Sequence, residues 1–185
     1  MKKTIFALMA LTLVFAVAFV ACNKDKDKTE DELKVNHLTQ KKGWVLTAAT
    51  AEPKYELNAG ALIDDLFDGF ISNCEVDDII YFKETGSQML NFGKDGKTYP
   101  CDAVQSQKEK SLGNWEFAND NKNLKFYFPA YPQQLEAVIL KLDENTLKLS
   151  VAIDETTPGT KSILHRGNSK KNYKGIFTLT YSVAK

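Results

Sequence analysis

Only two histidines and three cysteines occur in the 185 residues, and neither sign of charge is in excess, with 24 basic and 24 acidic side chains. Each scarcity removes a class of function. His37 and His165 cannot between them furnish a three-histidine zinc site. No Cys-x-x-Cys pair or cysteine-histidine spacing points to metal or redox chemistry instead. A net charge of zero offers no basic stripe to neutralise phosphates, which argues against nucleic acid as a partner. The chain also lacks a Gly-x-Ser-x-Gly elbow, a phosphate loop and a dinucleotide fingerprint.

The remaining polar candidates read as structural. His37 falls in a charged N-terminal stretch and His165 in a polar loop, so both are expected to be solvated. Asp64 with Asp65, and Asp77 with Asp78, are carboxylate pairs. Neighbours along a strand point to opposite faces, however, so capping, turn formation or ion pairing is the expected role. Asn119 to Asn123 lacks the glycine and terminal glutamate of a calcium loop and reads as a hairpin turn. No enzyme activity, metal or cofactor is expected.

The N-terminus carries an address. Lys2 and Lys3 precede an uncharged run from Ile5 to Ala21, which as a helix would span roughly 26 Å, short of the ~30 Å hydrocarbon core. A signal peptide over residues 1–21 fits better than a permanent span. Val20 and Ala21 before Cys22 resemble a bacterial lipobox, in which the cysteine becomes the lipidated N-terminus of the mature chain; Phe19 stands where leucine is commoner. Several acyl chains on Cys22 would anchor the protein stably in the membrane, where one chain alone is marginal. Removing residues 1–21 takes two lysines and no acid, leaving 164 residues with 22 basic against 24 acidic side chains and a net charge of −2. Cys74 and Cys101 are then the remaining thiols in an exported, oxidising setting, which suggests one disulfide, the alternative being two unpaired buried cysteines. Such a bridge would contribute roughly 3 to 4 kcal/mol on the chain-entropy account.

Residues 22–42 read as a lipidated N-terminus and flexible charged tether. Lys24, Asp25, Lys26, Asp27 and Lys28 alternate in sign, and Glu30, Asp31 and Glu32 follow. A flexible coil of about 20 residues reaches ~25 Å, enough to hold a domain clear of headgroups. Thr29 and Glu32 have capping-box spacing, compatible with a short amphipathic turn through Leu33, Val35 and Leu38.

Residues 43–185 are dominated by period-2 alternation between turn residues, the signature of strands. Trp44, Leu46 and Ala48 alternate with Val45 and Thr47. Asp78 to Lys83 and Gln88 to Phe92 form a pair across Glu84, Thr85 and Gly86. Trp115 and Phe117 alternate with Asn114 and Glu116. Leu124, Phe126 and Phe128 share a face, as do Val138, Leu140 and Leu142, then Leu147, Leu149 and Val151, and finally Phe177, Leu179, Tyr181 and Val183. About eight strands with short turns predict an all-β, eight-stranded antiparallel up-and-down barrel, because closure removes the unpaired edges. Asn58 to Ile71, with Leu62, Ile63, Leu66, Phe67 and Phe70 at helical spacing, predicts a short helix capping one mouth. Asp154 to Asn172 reads as a long polar loop before the closing strand.

Gly43 and Trp44 opening the first strand, Cys74 followed by Asp77, Asp78 and Phe82, Gly86 in the hairpin, Cys101, and Gly113, Asn114 and Trp115 resemble the lipocalin-like domain lipoproteins of Bacteroides and related bacteria. The resemblance covers roughly Gly43 to Val183, with Gly43 and Trp44 adjacent where the lipocalin motif has one residue between them. It implies an eight-stranded up-and-down barrel with a disulfide, in a group whose ligands are mostly unknown. A barrel of this size is filled by side chains or holds one small ligand. Trp44, Phe82, Trp115, Phe126, Phe177 and Tyr181 are the candidate lining residues. The leading functional expectation is a lipid-anchored protein on the periplasmic face or surface of the outer membrane, binding a small apolar or amphipathic molecule. The alternative is a protein-interaction module with a filled core, accessory to an outer-membrane complex or an inhibitor, using the loops at one rim.

Overall fold

A computed structural model describes residues 29–56, 60–70, 73–94, 96–97, 107–129, 134–154 and 173–185. The chain divides into two compact units, Met1–Glu32 and Leu33–Lys185. Of the first, residues 29–32 are described, and they carry a reciprocal cap. Thr29 Oγ1 accepts from the Glu32 amide at 3.2 Å, and Glu32 Oε2 accepts from the Thr29 amide at 3.0 Å, so two amide donors at the helix start are satisfied. The capped helix, α1, runs Glu30–Leu38. The span expected as a flexible tether is therefore helical over much of its second half, and Leu38 is fully buried in the hydrophobic core. His37 lies on this helix.

Among the described residues nine strands follow: β1 (Trp44–Glu56), β2 (Leu62–Asp65), β3 (Ile79–Phe82), β4 (Ser87–Asn91), β5 (Glu109–Ala118), β6 (Asn123–Tyr127), β7 (Gln134–Leu142), β8 (Thr146–Asp154) and β9 (Lys174–Val183). All pairings are antiparallel, β3 to β9 pair in sequence order, and β1 pairs with both β3 and β9. Those eight strands close an all-β, up-and-down lipocalin-like barrel without a free edge. The ninth, β2, is an addition: β3 takes Trp44 on β1, whereas β2 takes Thr50, Tyr55 and Glu56 farther along the same edge.

The helix expected over Asn58–Ile71 is reduced to α2, Leu66–Phe70. Leu62 and Ile63 sit in β2, paired with Glu56 and Tyr55, and Leu62 stays 61 % exposed. Backbone pairing with the long β1 outweighs the weak helical spacing there. Asp65 then ends the strand and caps the helix, its Oδ1 accepting from the Phe67 amide at 2.9 Å and the Asp68 amide at 3.3 Å. Leu66 is buried in the core. Asp64 points elsewhere and pairs with Lys54 at 3.3 Å.

Inward positions follow the registers. Across β8 and β9, Leu147 faces Tyr181, Leu149 faces Leu179 and Val151 faces Phe177; Leu147, Leu149, Val151 and Ile153 are all buried. A bulge between Leu46 and Ala48 shifts β1, so that Ala49 and Ala51, not Ala48, are the buried positions after Trp44. On β7 the face is the opposite of the one expected up to the bulge between Ile139 and Lys141, beyond which Leu142 packs against the core as expected. Ala137 pairs with both Leu124 and Val151 and is fully buried, and Ile139 pairs with Leu149. Val138 and Leu140 consequently lie outside, 46 % and 53 % exposed, because a one-residue offset moves the side chains before the bulge to the other face.

The two ends of the barrel differ. Turns of three or four residues at 83–86, 119–122 and 143–145 lie at the end where β1 begins, and the strand termini Glu56, Asn91, Tyr127 and Asp154 lie at the other. Asn119, Asp120 and Asn121 form their turn at positive φ, between 52° and 58°, a conformation asparagine and aspartate tolerate better than most. Asp143 Oδ1 holds the third turn through the Asn145 and Thr146 amides at 2.9 and 2.8 Å, while Lys141 lies 2.9 Å from its carboxylate.

Candidate functional site: the barrel interior

The short-turn end is shut by a hydrogen-bonded aromatic. Trp44 and Leu38 are fully buried, and the indole Nε1 of Trp44 donates to the Leu38 carbonyl at 2.9 Å. Gly43, at φ 75°, lets the chain turn into β1, where any Cβ would lie 2.6 Å from Ile79 Cγ2. The carbonyl of Gly43 also accepts from the Ala184 amide at 3.1 Å, tying the last residues of the chain to the start of the first strand.

Above this floor the predicted lining residues separate into two aromatic groups. Phe82 meets Trp115 edge-on at 5.8 Å and Phe126 at 6.2 Å; Trp115 meets Phe117 at 5.5 Å, and Phe126 stacks on Phe128 at 6.1 Å. These distances and angles are those at which ring quadrupoles attract. Trp115 Nε1 donates to the Lys83 carbonyl at 3.2 Å. The second group joins Phe177 to Tyr55 at 6.0 Å and Tyr173 at 5.5 Å, with Tyr55 and Tyr173 at 5.1 Å from each other. Tyr173 donates from its hydroxyl to the Pro53 carbonyl at 2.7 Å, and its ring lies over Gly175, where a Cβ would come within 2.2 Å of the tyrosine oxygen.

Tyr181 stands apart from both groups. It pairs with Leu46 and Leu147 on the inward face. Burial alone pushes its phenol up to about 12, since the phenolate would be stripped of water, yet the side chain is only partly covered, like the inward Ile139 and Leu179. Ile139, Leu179 and Tyr181 pack against the buried core while retaining some accessible surface. Tyr127, on the outer surface, is also raised, because it hydrogen-bonds to Glu116.

Interior residues that the sequence reading did not name as lining include Leu38, Tyr55, Tyr173 and Gln88. Gln88 is the buried polar side chain among the described residues, 5 % exposed. Its inward direction was legible in the hairpin, where the Glu84-Thr85-Gly86 turn sets it opposite Phe82. Cys74 is buried and disulfide-bonded; Cys22, Cys101 and His165 lie outside the described residues. Asp77 is structural, accepting from the Lys94 amide at 2.8 Å. Among the described residues no group of three or more His, Cys, Asp or Glu side chains is placed to hold a metal.

Fold and interior together define a single-chain eight-stranded β-barrel, aromatic-lined, shut at one end by Trp44 and Leu38. No family model matches the chain, and no curated protein matches it.

Proposed function

We propose that the protein is a cell-envelope lipoprotein, anchored to the outer membrane through lipidated Cys22, whose barrel binds one small apolar or amphipathic molecule. The observation that carries this reading is the closed eight-stranded barrel, of a size that is filled by side chains or holds one small ligand, with the buried Gln88 amide on its inward face. An apolar cavity with few polar groups is the usual form of a small-molecule site. The packing of Trp44 and Leu38 across the end where β1 begins supports the reading further, since it gives the barrel a floor. The resemblance to lipocalin-like lipoproteins of Bacteroides and related bacteria belongs to the same proposal.

Native mass spectrometry of the protein extracted from envelope membranes tests it. A copurified mass below about 1 kDa per chain is expected at a ligand-sized site, and a bare chain that binds no apolar probe overturns the binding function. Labelling with radioactive palmitate tests the anchor, with incorporation expected in the unaltered chain and lost in Cys22→Ser.

The aromatic packing of Phe82, Trp115 and Phe126 favours a second reading, a protein-interaction module with a filled core that works through its rim. Cross-linking in intact membranes would then capture a stoichiometric envelope protein, while the barrel would take up no probe.

A further inference from the structure

Gln88 presents a polar atom where the fold supplies nothing to meet it. It lies on β4 opposite Phe82 on one side and Gly113 on the other, all on the inward face, and its Oε1 is buried without a hydrogen-bond partner. An orphaned buried carbonyl is costly, and leucine or methionine would fill the same volume without that cost. The two indole donors are committed elsewhere, Trp44 Nε1 to the Leu38 carbonyl and Trp115 Nε1 to the Lys83 carbonyl. Nor can β5 cover Gln88 with a side chain from the paired position. A Cβ on Gly113 would lie 2.1 Å from the Tyr127 carbonyl oxygen, and its φ of 144° disfavours any other residue. The amide therefore faces the interior, surrounded by apolar and aromatic groups.

We propose that Gln88 is the specificity-determining contact of the barrel, its Oε1 accepting a hydrogen bond from a hydroxyl or N–H group on the bound molecule. The ligand class is then an amphipathic molecule with an apolar body and a neutral donor head that reaches the depth of Gln88. A neutral donor suits the neutral amide, since desolvating an ammonium against a lone carbonyl oxygen would be costly. This deepens the ligand-binding reading and rests on it.

The test compares two probes that differ in one donor, 1-dodecanol and 1-methoxydodecane. Both are titrated into the purified full-length chain with protein-free blanks subtracted. Trp44 and Trp115, the two tryptophans of the chain, report binding directly by fluorescence. The alcohol is expected to bind about tenfold tighter, the ratio that one hydrogen bond to a neutral acceptor supplies. In Gln88→Met that ratio falls to about one, while affinity for the ether stays within about threefold, as a volume-conserving exchange allows. The same variant should melt a few degrees higher without ligand, because the orphaned carbonyl is gone. Equal affinities for the two probes in the unaltered chain overturn the assignment to Gln88 and leave ligand binding standing. A preference for the alcohol that survives Gln88→Met, or a lower melting temperature with the preference intact, also overturns it. Binding of neither probe by the folded chain overturns the ligand-binding reading itself.

Discussion

The indole of Trp44 donates to the carbonyl of Leu38 across six residues, with both side chains fully shielded from water. One bond thus joins the first strand of the barrel to the last residue of the helix before it. Trp44→Phe leaves a buried carbonyl without its donor and removes ring volume. It is expected to lower stability by about 2 to 4 kcal/mol, read from the urea midpoint at unchanged slope. Leu38→Ala should cost a similar amount. A free tether would predict no loss from Leu38→Ala, so a variant as stable as the parent would show that α1 does not belong to the folded unit.

Tyr173 and Gly175 form a matched pair at the opposite end. Gly175→Ala would place a methyl 2.2 Å from the Tyr173 oxygen and 2.6 Å from the Glu52 carbonyl. Backbone on one side and a hydrogen-bonded ring on the other leave little room to relax. A loss of about 1 to 3 kcal/mol is expected, and the double variant with Tyr173→Leu should lose less than the two single losses added together. Strict additivity in chemical denaturation would show that the two positions are not coupled.

Tyr181 gives the protein an alkaline limit. Its phenol is pushed up to about 12 in the folded chain against about 10 when unfolded. Between those values the unfolded chain releases a proton that the folded chain retains. Stability is therefore intact below about pH 10 and falls as pH rises toward 12, by about 2 kcal/mol at most for a group that is partly accessible. Tyr181→Phe should flatten that slope in thermal melts taken between pH 9.5 and 11.5. An unchanged slope would place the phenol in contact with bulk water.

Cys74 is disulfide-bonded, and the sequence expectation makes Cys101 its partner. Cys74→Ser, Cys101→Ser and the double variant should all melt at the same lower temperature, because breaking one bridge twice costs no more than once. Two different, additive losses would separate the two cysteines.

Much of the barrel was legible because a strand with one buried face writes its burial pattern with period two. Leu147, Leu149 and Val151, and then Phe177, Leu179 and Tyr181, alternate cleanly with polar residues, and the registers place them on the inward face. The turn residues at Asn119 to Lys122 and Asp143 to Asn145 marked where pairs reverse. Legibility failed where both faces carry apolar residues. On β7, Val138, Ile139 and Leu140 are consecutive, so alternation alone does not say which side is buried. Leu62 and Ile63 failed for a related reason, since a short apolar run fits a helix turn and a strand equally well.

By its residues alone the chain determined that it would be an antiparallel β protein with a closing strand at its end, because alternation and turn chemistry are local properties. What only the tertiary structure decided is everything that depends on register and on distance along the chain. The β1 bulge selects Ala49 over Ala48, and pairing with β6 and β8 turns Ala137 and Ile139 inward. Leu38 is drawn under Trp44, and Gln88 is left buried without a partner. Strand register and packing decide these positions, and a side chain's immediate sequence neighbours carry no information about which strand or helix will face it.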